Sequence, residues 1–238
     1  MSSGGVAFPL PASGTGMFLS TGYTNTYNLD VVNARVAPNG FARSAVTIDG
    51  KYPGTTIKGN RGDSFRITVN NKLTDPNLDR STALHWHGLL QYGTAYADGP
   101  SGATQCPIGP AASFTYEFHA AHQAGTFWYH SHVRSQYTDG AKGAFIIYDP
   151  QDPIKNHAPY DIDNDDTILQ LSDWFHAPSP GLLRRYFSDD NAGSSKEPPI
   201  DGGLINGFGR CAVDCPKNTP YYTNTVQTGK AYRMRVIN

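Results

Sequence analysis

Apolar and polar residues alternate along several short segments of the chain, a pattern that is typical of half-buried β-strands. Phe65, Ile67 and Val69 alternate with Arg66 and Thr68. Other short segments are rich in branched and aromatic residues and end at turn signals, which also predicts strands. These further predicted strands are 27–37, 84–90, 114–118, 125–131 and 141–148.

A proline-rich and acidic stretch interrupts this series of strands and divides the chain. We predict a loose tail at 1–25, a first domain at 26–150 and an interdomain linker at 151–166. A second series of strands starts at 167–171, and Tyr232, Met234 and Val236 alternate with arginines near the end of the sequence. Residues 167–238 are therefore expected to be an incomplete second domain, with an open, partly apolar edge around 232–236.

Short strands separated by frequent turn signals predict an all-β fold. The 25 glycines and 17 prolines supply these turns. No segment of the first domain shows an apolar period of 3.6 residues for more than one turn. The expected architecture is a Greek-key β-sandwich or barrel, with one complete domain and the start of a second.

Composition limits the classes of partner. The 238 residues are 38% hydrophobic and 12% aromatic, which is enough to build a core. Lys and Arg number 19 against 20 Asp and Glu, so the net charge of −1 gives no case for binding nucleic acid or an anionic membrane surface. The longest apolar run, 144–148, is far shorter than the roughly 18 residues of a membrane span.

The ends and the cysteines carry weaker signals. No signal peptide and no Asn-x-Ser/Thr sequon is visible, so either the chain is not secreted or its true start differs. Three cysteines leave at least one thiol without a partner in the chain. Cys211 and Cys215 are close enough to bridge each other, whereas Cys106 stands alone, and three free thiols are the alternative.

Two His-x-His motifs are the candidate chemistry of the chain. The first is His85-Trp86-His87 and the second is His130-Ser131-His132. Residues i and i+2 of a strand point to the same face, so each motif directs two imidazoles one way and its central residue the other way. Two such strands bordering a common space present four nitrogen ligands, which suit copper, zinc, iron or nickel.

The residues around the two motifs resemble the blue multicopper oxidases, and most closely the fungal laccases. The runs that carry this resemblance in the first domain are LHWHGL at 84–89, ADGP at 97–100, QCPI at 105–108, AGTFWYHSH at 124–132 and QYTDG at 136–140. Weaker matches are PG at 53–54, GNRGD at 59–63, SDWFH at 172–176 and LING at 204–207.

The resemblance implies three cupredoxin-like domains, a type 1 copper that accepts single electrons, and a trinuclear copper cluster that reduces dioxygen to water. It implies that His85 binds the type 2 copper and that His87 and His130 bind one type 3 copper. His132 would bind the other type 3 copper. Asp98 matches a family carboxylate that helps to deliver protons to reduced oxygen, and a simple turn role before Gly99 is the alternative.

The sequence predicts structural roles for the other histidines and for two of the tryptophans. Trp86 and Trp128 are expected to pack around the site. His119 and His122 are expected to lie at the surface, and His157 is expected to be solvated. His176 is expected to have a packing or hydrogen-bonding role.

The sequence also departs from the family pattern. The third domain, with the other four cluster histidines and the type 1 site, is expected to be missing and to be needed to complete the centre. Thr138 stands where laccases usually have a cysteine that bridges to the second domain, and Cys106 matches a family cysteine whose usual partner lies in the third domain. Fungal ferroxidases carry a glutamate at the place of Thr138, so threonine favours a laccase.

The functional expectation is a laccase-type enzyme that takes single electrons from phenols or aromatic amines and is secreted by resemblance. The isolated chain is expected to be inactive, because it lacks the type 1 site. The alternatives are a ferroxidase-type multicopper oxidase and a catalytically silent module that binds copper weakly.

Overall fold

The computed structural model describes residues 21–191, 196–211, 216 and 218–238. Within them the chain forms twelve strands and one α-helix. The strands are β1 (Thr24–Val36), β2 (Arg43–Ile48), β3 (Ile57–Asn60), β4 (Ser64–Lys72), β5 (Leu84–His87), β6 (Ser113–His119), β7 (Gly125–Ser131), β8 (Lys142–Tyr148), β9 (Ile168–Trp174), β10 (Gly202–Ile205), β11 (Phe208–Gly209) and β12 (Arg235–Ile237), and the helix is α1 (Ser179–Tyr186).

Two four-stranded sheets form the first domain, with strand orders β2-β1-β4-β6 and β3-β8-β7-β5. Alternate side chains of both sheets point inward and pack as one buried core. Phe65 of β4 meets Phe145 of β8 edge to face, with ring centroids 4.8 Å apart. The two sheets therefore pack face to face, and the predicted all-β sandwich is confirmed.

The third sheet has the order β11-β10-β9-β12 and lies in the second segment of the chain. It begins at Ile168, as the apolar run at 167–171 predicts. The strand expected around 232–236 is observed at Arg235–Ile237, and it lies at the edge of its sheet with Met234 and Val236 exposed. Helix α1 was not predicted, and Pro180 in its first turn supports its start.

The N-terminal boundary differs from the predicted one. Residues 1–20 of the expected tail lie outside the described residues, but β1 already begins at Thr24. Thr24 is paired with Ser64 in the parallel ladder between β1 and β4. A local sequence pattern cannot reveal this pairing of β1 with the distant strand β4. The sequence therefore placed the start of the first domain later than the structure does.

The acidic segment 151–166, which is predicted to be a linker, is folded against residues near β12. Asp163 forms a bidentate ion pair with Arg235, with N···O distances of 2.6 and 2.7 Å. Asp152 pairs with Arg233, and the backbone N–H of Ala231 donates to Asp161 at 2.9 Å. The aspartates of this segment thus neutralise the arginines around β12. The acidic segment 151–166 therefore forms a contact with the end of the chain.

A buried ion pair joins the first domain to helix α1. Arg43 of β2 donates to Asp139 at 2.9 Å, and both side chains are almost fully buried. The backbone N–H and hydroxyl of Ser179 also donate to Asp139, at 3.0 and 2.6 Å. The Arg43 guanidinium lies 4.3 Å from the ring centroid of Trp174. These contacts hold the start of α1 against the first sandwich.

None of the helices among the described residues is long and apolar enough to cross a membrane. Cys106 is an exposed free thiol, and Cys211 is in a disulfide. Cys215, its predicted partner, lies outside the described residues.

Candidate metal centre

The two His-x-His motifs lie side by side on neighbouring antiparallel strands, β5 and β7. The register places His85 directly opposite His130. Leu84, Trp86 and Ser131 are fully buried, whereas His85 is only half-buried and His87 is exposed. The alternation predicted for each strand is therefore present, and the imidazoles collect on the outer face of the sheet.

Three of the four imidazoles converge closely enough to bind one metal ion. One ring nitrogen from each of His85, His87 and His130 lies within 4.8 Å of the other two. His87 Nδ1 and His130 Nε2 are 3.2 Å apart. Two nitrogen ligands of one tetrahedral metal at about 2.0–2.1 Å would be separated by about 3.3 Å. This pair therefore has the spacing of two ligands that share one metal ion.

Hydrogen bonds to the backbone fix which nitrogens are available. His85 Nδ1 donates to the Asp98 carbonyl at 2.8 Å, and His130 Nδ1 donates to the Ser131 carbonyl at 2.9 Å. A carbonyl can only accept, so each Nδ1 carries the proton and each Nε2 keeps its lone pair. His87 Nδ1 then donates to His130 Nε2, and a metal ion would replace that proton. The donor set fits copper, as it fits other imidazole-binding metals.

The environment also keeps imidazoles neutral, as metal binding requires. Burial lowers the pKa of His130 to about 4, against the opposing effect of its bond to the Ser131 carbonyl. Burial, with the neighbouring His85 and His132, lowers the pKa of His87. A neutral imidazole has a lone pair ready at neutral pH, so no proton has to be displaced from His130.

Aromatic side chains wall one side of the site. The Trp128 ring stacks on His130, with centroids 4.2 Å apart, and lies 5.1 Å from the His87 ring. Trp86 is on the other face of the sheet, in the core, where its indole N–H donates to the Ala97 carbonyl at 3.0 Å. Trp128 therefore packs against the site as predicted, whereas Trp86 packs with core aromatic residues behind it. The Tyr137 ring lies tilted against His130 with centroids 5.5 Å apart, a contact that the sequence did not predict although Tyr137 lies within a family motif.

His132 lies at the border of the cluster. Its ring centroid is 5.5 Å from that of His85 and 5.9 Å from that of His130. It follows the last residue of β7, and its backbone N–H donates to the Ala83 carbonyl at 2.9 Å. Among the described residues it does not join the close group of three ring nitrogens.

Asp98 reaches His85 from a loop thirteen residues further along the chain. Its carbonyl accepts a hydrogen bond from His85 Nδ1–H, and its carboxylate oxygen lies 3.4 Å from His85 Nδ1. The carboxylate is about one quarter exposed, so it contacts both the site and solvent. Asp98 also ends the short 3₁₀ helix Ala95–Ala97, so it has the turn position and also lies beside the histidine cluster.

The remaining histidines lie elsewhere. His119, His122 and His157 are exposed, as predicted, and His119 Nδ1 is 2.8 Å from the Ser64 hydroxyl. His176 stacks on Phe41 with centroids 3.9 Å apart, and its Nε2 lies 2.9 Å from Asn39 Nδ2. The expected packing and hydrogen-bonding role of His176 is therefore observed.

Fold and site together define a class: a β-sandwich protein with a histidine cluster built for a transition metal. The multicopper oxidase family matches residues 30–152, and a second multicopper oxidase domain matches residues 165–238. The chain belongs to the multicopper oxidase family, and it is laccase-like.

Comparison with individual proteins supports this assignment. The chain is 48% identical to laccase-1 of Agaricus bisporus over 214 residues, which is 90% of this chain and 39% of that protein. The crystal structure of the laccase from Botrytis aclada superimposes with a TM-score of 0.72 and 33% identity, over 91% of this chain and 38% of that one. Fet3p, a multicopper oxidase that functions in iron import, gives a TM-score of 0.69 and 34% identity, over 78% of this chain and 33% of that one.

The chain thus spans about 39% of the length of the laccases that it matches. The predicted resemblance and the cupredoxin-like fold class are confirmed.

Proposed function

We propose that this chain contributes half of the dioxygen-reducing copper cluster of a laccase-type oxidase. The observation that carries the proposal is the group of His85, His87 and His130, with a 3.2 Å separation between ring nitrogens of the last two. His85 would hold the type 2 copper, His87 and His130 one type 3 copper, and His132 the other type 3 copper. Four further histidines would come from a third cupredoxin domain.

The proposed reaction takes single electrons from phenols or aromatic amines and reduces dioxygen to water. Copper supplies the one-electron redox chemistry when it is bound. The residues of this chain orient and insulate the site: the Asp98 and Ser131 carbonyls fix the two imidazole tautomers. The Trp128 ring covers one face of His130 and keeps water from that side.

Asp98 is proposed to hold and pass the protons that dioxygen reduction consumes. Its carboxylate is 3.4 Å from His85 Nδ1 and is partly open to solvent, so it can exchange protons with water and with the site. An Asp98→Asn variant of the complete enzyme should keep its bound copper and lose turnover. Unchanged turnover in an Asp98→Asn enzyme that retains all of its copper would contradict this role.

An oxidising, extracellular location is proposed for the protein. The disulfide at Cys211 supports it, because disulfides persist in secreted proteins and are rare in the cytosol. Thiol labelling of protein purified without reductant should modify Cys106 and leave Cys211 unmodified.

Copper titration of the chain, followed by electron paramagnetic resonance, tests the metal site. Copper should bind the original chain with nitrogen hyperfine structure, and His130→Asn should weaken that binding. His119→Asn is the matched control, because His119 is an exposed histidine of the same domain. Equal copper affinity in all three proteins would refute the site. Phenol oxidation by the full-length parent gene product tests the reaction, and absence of copper-dependent oxygen uptake would refute it.

A ferroxidase is the second candidate, because the fold also matches Fet3p. Thr138 argues against it, since its hydroxyl donates to the Ser135 carbonyl at 2.7 Å and offers no carboxylate to ferrous iron. Parallel assays of the complete enzyme with ferrous iron and with a phenol separate the two candidates. Preferential oxidation of ferrous iron would favour the ferroxidase.

A catalytically silent module that binds copper weakly is the third candidate. Half of a cluster leaves each copper short of ligands, so weak binding by the chain alone is expected. An intense blue colour with a type 1 signal from this chain alone would contradict the proposed division of the ligands.

A further inference from the structure

The side chain of Gln136 lies in the interior of the first sandwich and uses all of its hydrogen-bonding capacity. It is fully buried, in the short 3₁₀ helix Gln136–Asp139. Its oxygen accepts from the hydroxyls of Thr82 at 2.8 Å and Ser131 at 2.6 Å. Its nitrogen donates to the carbonyls of Asp79 at 2.9 Å and Ser81 at 3.0 Å.

These four bonds join the two histidine motifs. Ser131 is the central residue of the second motif, and its side chain points inward from the sheet. Thr82 and its neighbours form the segment that leads into β5, three residues before His85. One amide therefore connects the segment that leads into the first motif to the centre of the second.

The position matters because the strand ladder ends at this point. Leu84 and Ser131 are the last pair between β5 and β7, so the ladder fixes His85 against His130. His132 lies beyond the ladder and is held by one backbone bond to Ala83. The Gln136 amide continues the connection past the end of the sheet with four hydrogen bonds, and an exposed Arg134 lies 4.0 Å from the Asp79 carboxylate beside it.

We propose that Gln136 is a positioning residue that sets His132 relative to His85 and His130. The inference rests on the proposed function of these histidines as copper ligands. An amide suits this place because it presents two acceptor positions to hydroxyls and two donors to carbonyls. A carboxylate there would face two carbonyl oxygens, and an apolar side chain would leave four polar groups without a partner.

Gln136→Met tests the proposal, because methionine has nearly the same volume and forms none of the four bonds. The first readout is nuclear Overhauser contacts between imidazole rings in the metal-free chain. The His85–His132 contact, at 5.5 Å between centroids, should weaken or vanish. The His85–His87 contact, also at 5.5 Å, lies within β5 and should persist, so it is an internal control for folding.

The second readout is copper affinity, which we expect to fall about 10-fold, as is typical when a supporting hydrogen bond of a metal ligand is lost. Asn206→Asp is the matched control, since Asn206 Nδ2 donates to the Ile168 carbonyl at 2.7 Å in the second segment, away from the site. It should leave both readouts unchanged. Gln136→Glu makes the same amide-to-carboxylate change at the proposed position and should behave like Gln136→Met.

The outcomes separate this inference from the proposed function. Wild-type ring contacts and wild-type copper affinity in Gln136→Met would overturn the role of Gln136. If Gln136→Met loses the His85–His132 contact and the original chain binds no copper, the positioning role is supported and the proposed function is refuted. If Gln136→Met does not fold, Ser131→Ala removes the link from its other end, and an unchanged His85–His132 contact in that variant would overturn the inference.

Discussion

Lys142 at the start of β8 is a lysine in a buried position, and its replacement by methionine should stabilise the chain. Only 8% of Lys142 is exposed, and its backbone pairs with His130 on β7. Its ammonium lies 5.8 Å from the centroid of the Tyr137 ring. Burial lowers the pKa of Lys142 from 10.5 to about 8, and the attraction of Asp173 offsets part of this effect.

The size of the effect follows from this pKa. At about 1.36 kcal/mol for each pH unit, a pKa of about 8 in place of 10.5 costs the folded state about 3 kcal/mol at pH 7. The lost cation–π contact with Tyr137 would subtract about 0.5–1 kcal/mol from the gain. Methionine keeps the packing of the aliphatic stem. Lys142→Met should therefore be about 2 kcal/mol more stable at pH 7.

The pH dependence has a definite sign. Below pH 8 the lysine is charged in both states, so the folded state carries the full cost of burying the charge. As the pH rises from about 8 to 10.5, the folded chain releases its proton first and the cost disappears. The advantage of the methionine variant should therefore shrink to about 1 kcal/mol or less at pH 10.

Urea unfolding of the metal-free chain at pH 7 and pH 10, followed by tryptophan fluorescence, measures both quantities. Lys51→Met is the control, because Lys51 is exposed, and it should leave the free energy of unfolding nearly unchanged. A Lys142→Met variant no more stable than the original at pH 7 would refute the reasoning. So would a gain of the same size at both pH values.

Three further predictions concern other parts of the molecule. Burial lowers the pKa of His130 from 6.5 to about 4, so the unfolded chain takes up a proton there before the folded chain does. Metal-free protein should lose up to about 3 kcal/mol of stability as the pH falls from 6.5 to 4, and urea unfolding of His130→Asn should show a smaller loss. Arg43→Met leaves Asp139 as a buried carboxylate without its cation and should cost about 3–5 kcal/mol in the free energy of unfolding, measured in urea; a cost below about 1 kcal/mol would contradict a structural role for the pair. Val236 is 57% exposed on the edge strand β12, and Val236→Lys should reduce aggregation measured by light scattering on warming, because a charge on an edge strand opposes pairing with other chains; unchanged aggregation would show that this edge is not the route.

Several elements could be predicted from local patterns and others could not. The alternation at 65–69 and the aromatic run at 125–131 predicted β4 and β7, because a strand places every second residue in the core. Strand β3 has only four residues, and it forms because it pairs in parallel with β8. Its sequence, Ile57–Asn60, has no alternation long enough to detect. The composition of the acidic segment predicted a linker but did not reveal that its aspartates pair with arginines near β12.

The candidate site shows the same division. The two His-x-His motifs and their flanks were sufficient to predict four ligands and the family. The sequence did not show that Asp98 would present its carbonyl to His85 Nδ1, or that Trp128 would stack on His130. It also gave no sign that Gln136 would bond to both Thr82 and Ser131, since these residues are brought together only by the pairing of β5 with β7.

What the sequence determined by itself is the face on which each imidazole lies, because the two-residue period of a strand is a local property of the backbone. The tertiary structure decided which imidazoles meet. The antiparallel register of β5 and β7 sets His85 against His130 and brings His87 Nδ1 within 3.2 Å of His130 Nε2. A register shift of one residue would turn one pair of imidazoles into the core, and register depends on the packing of the whole sandwich.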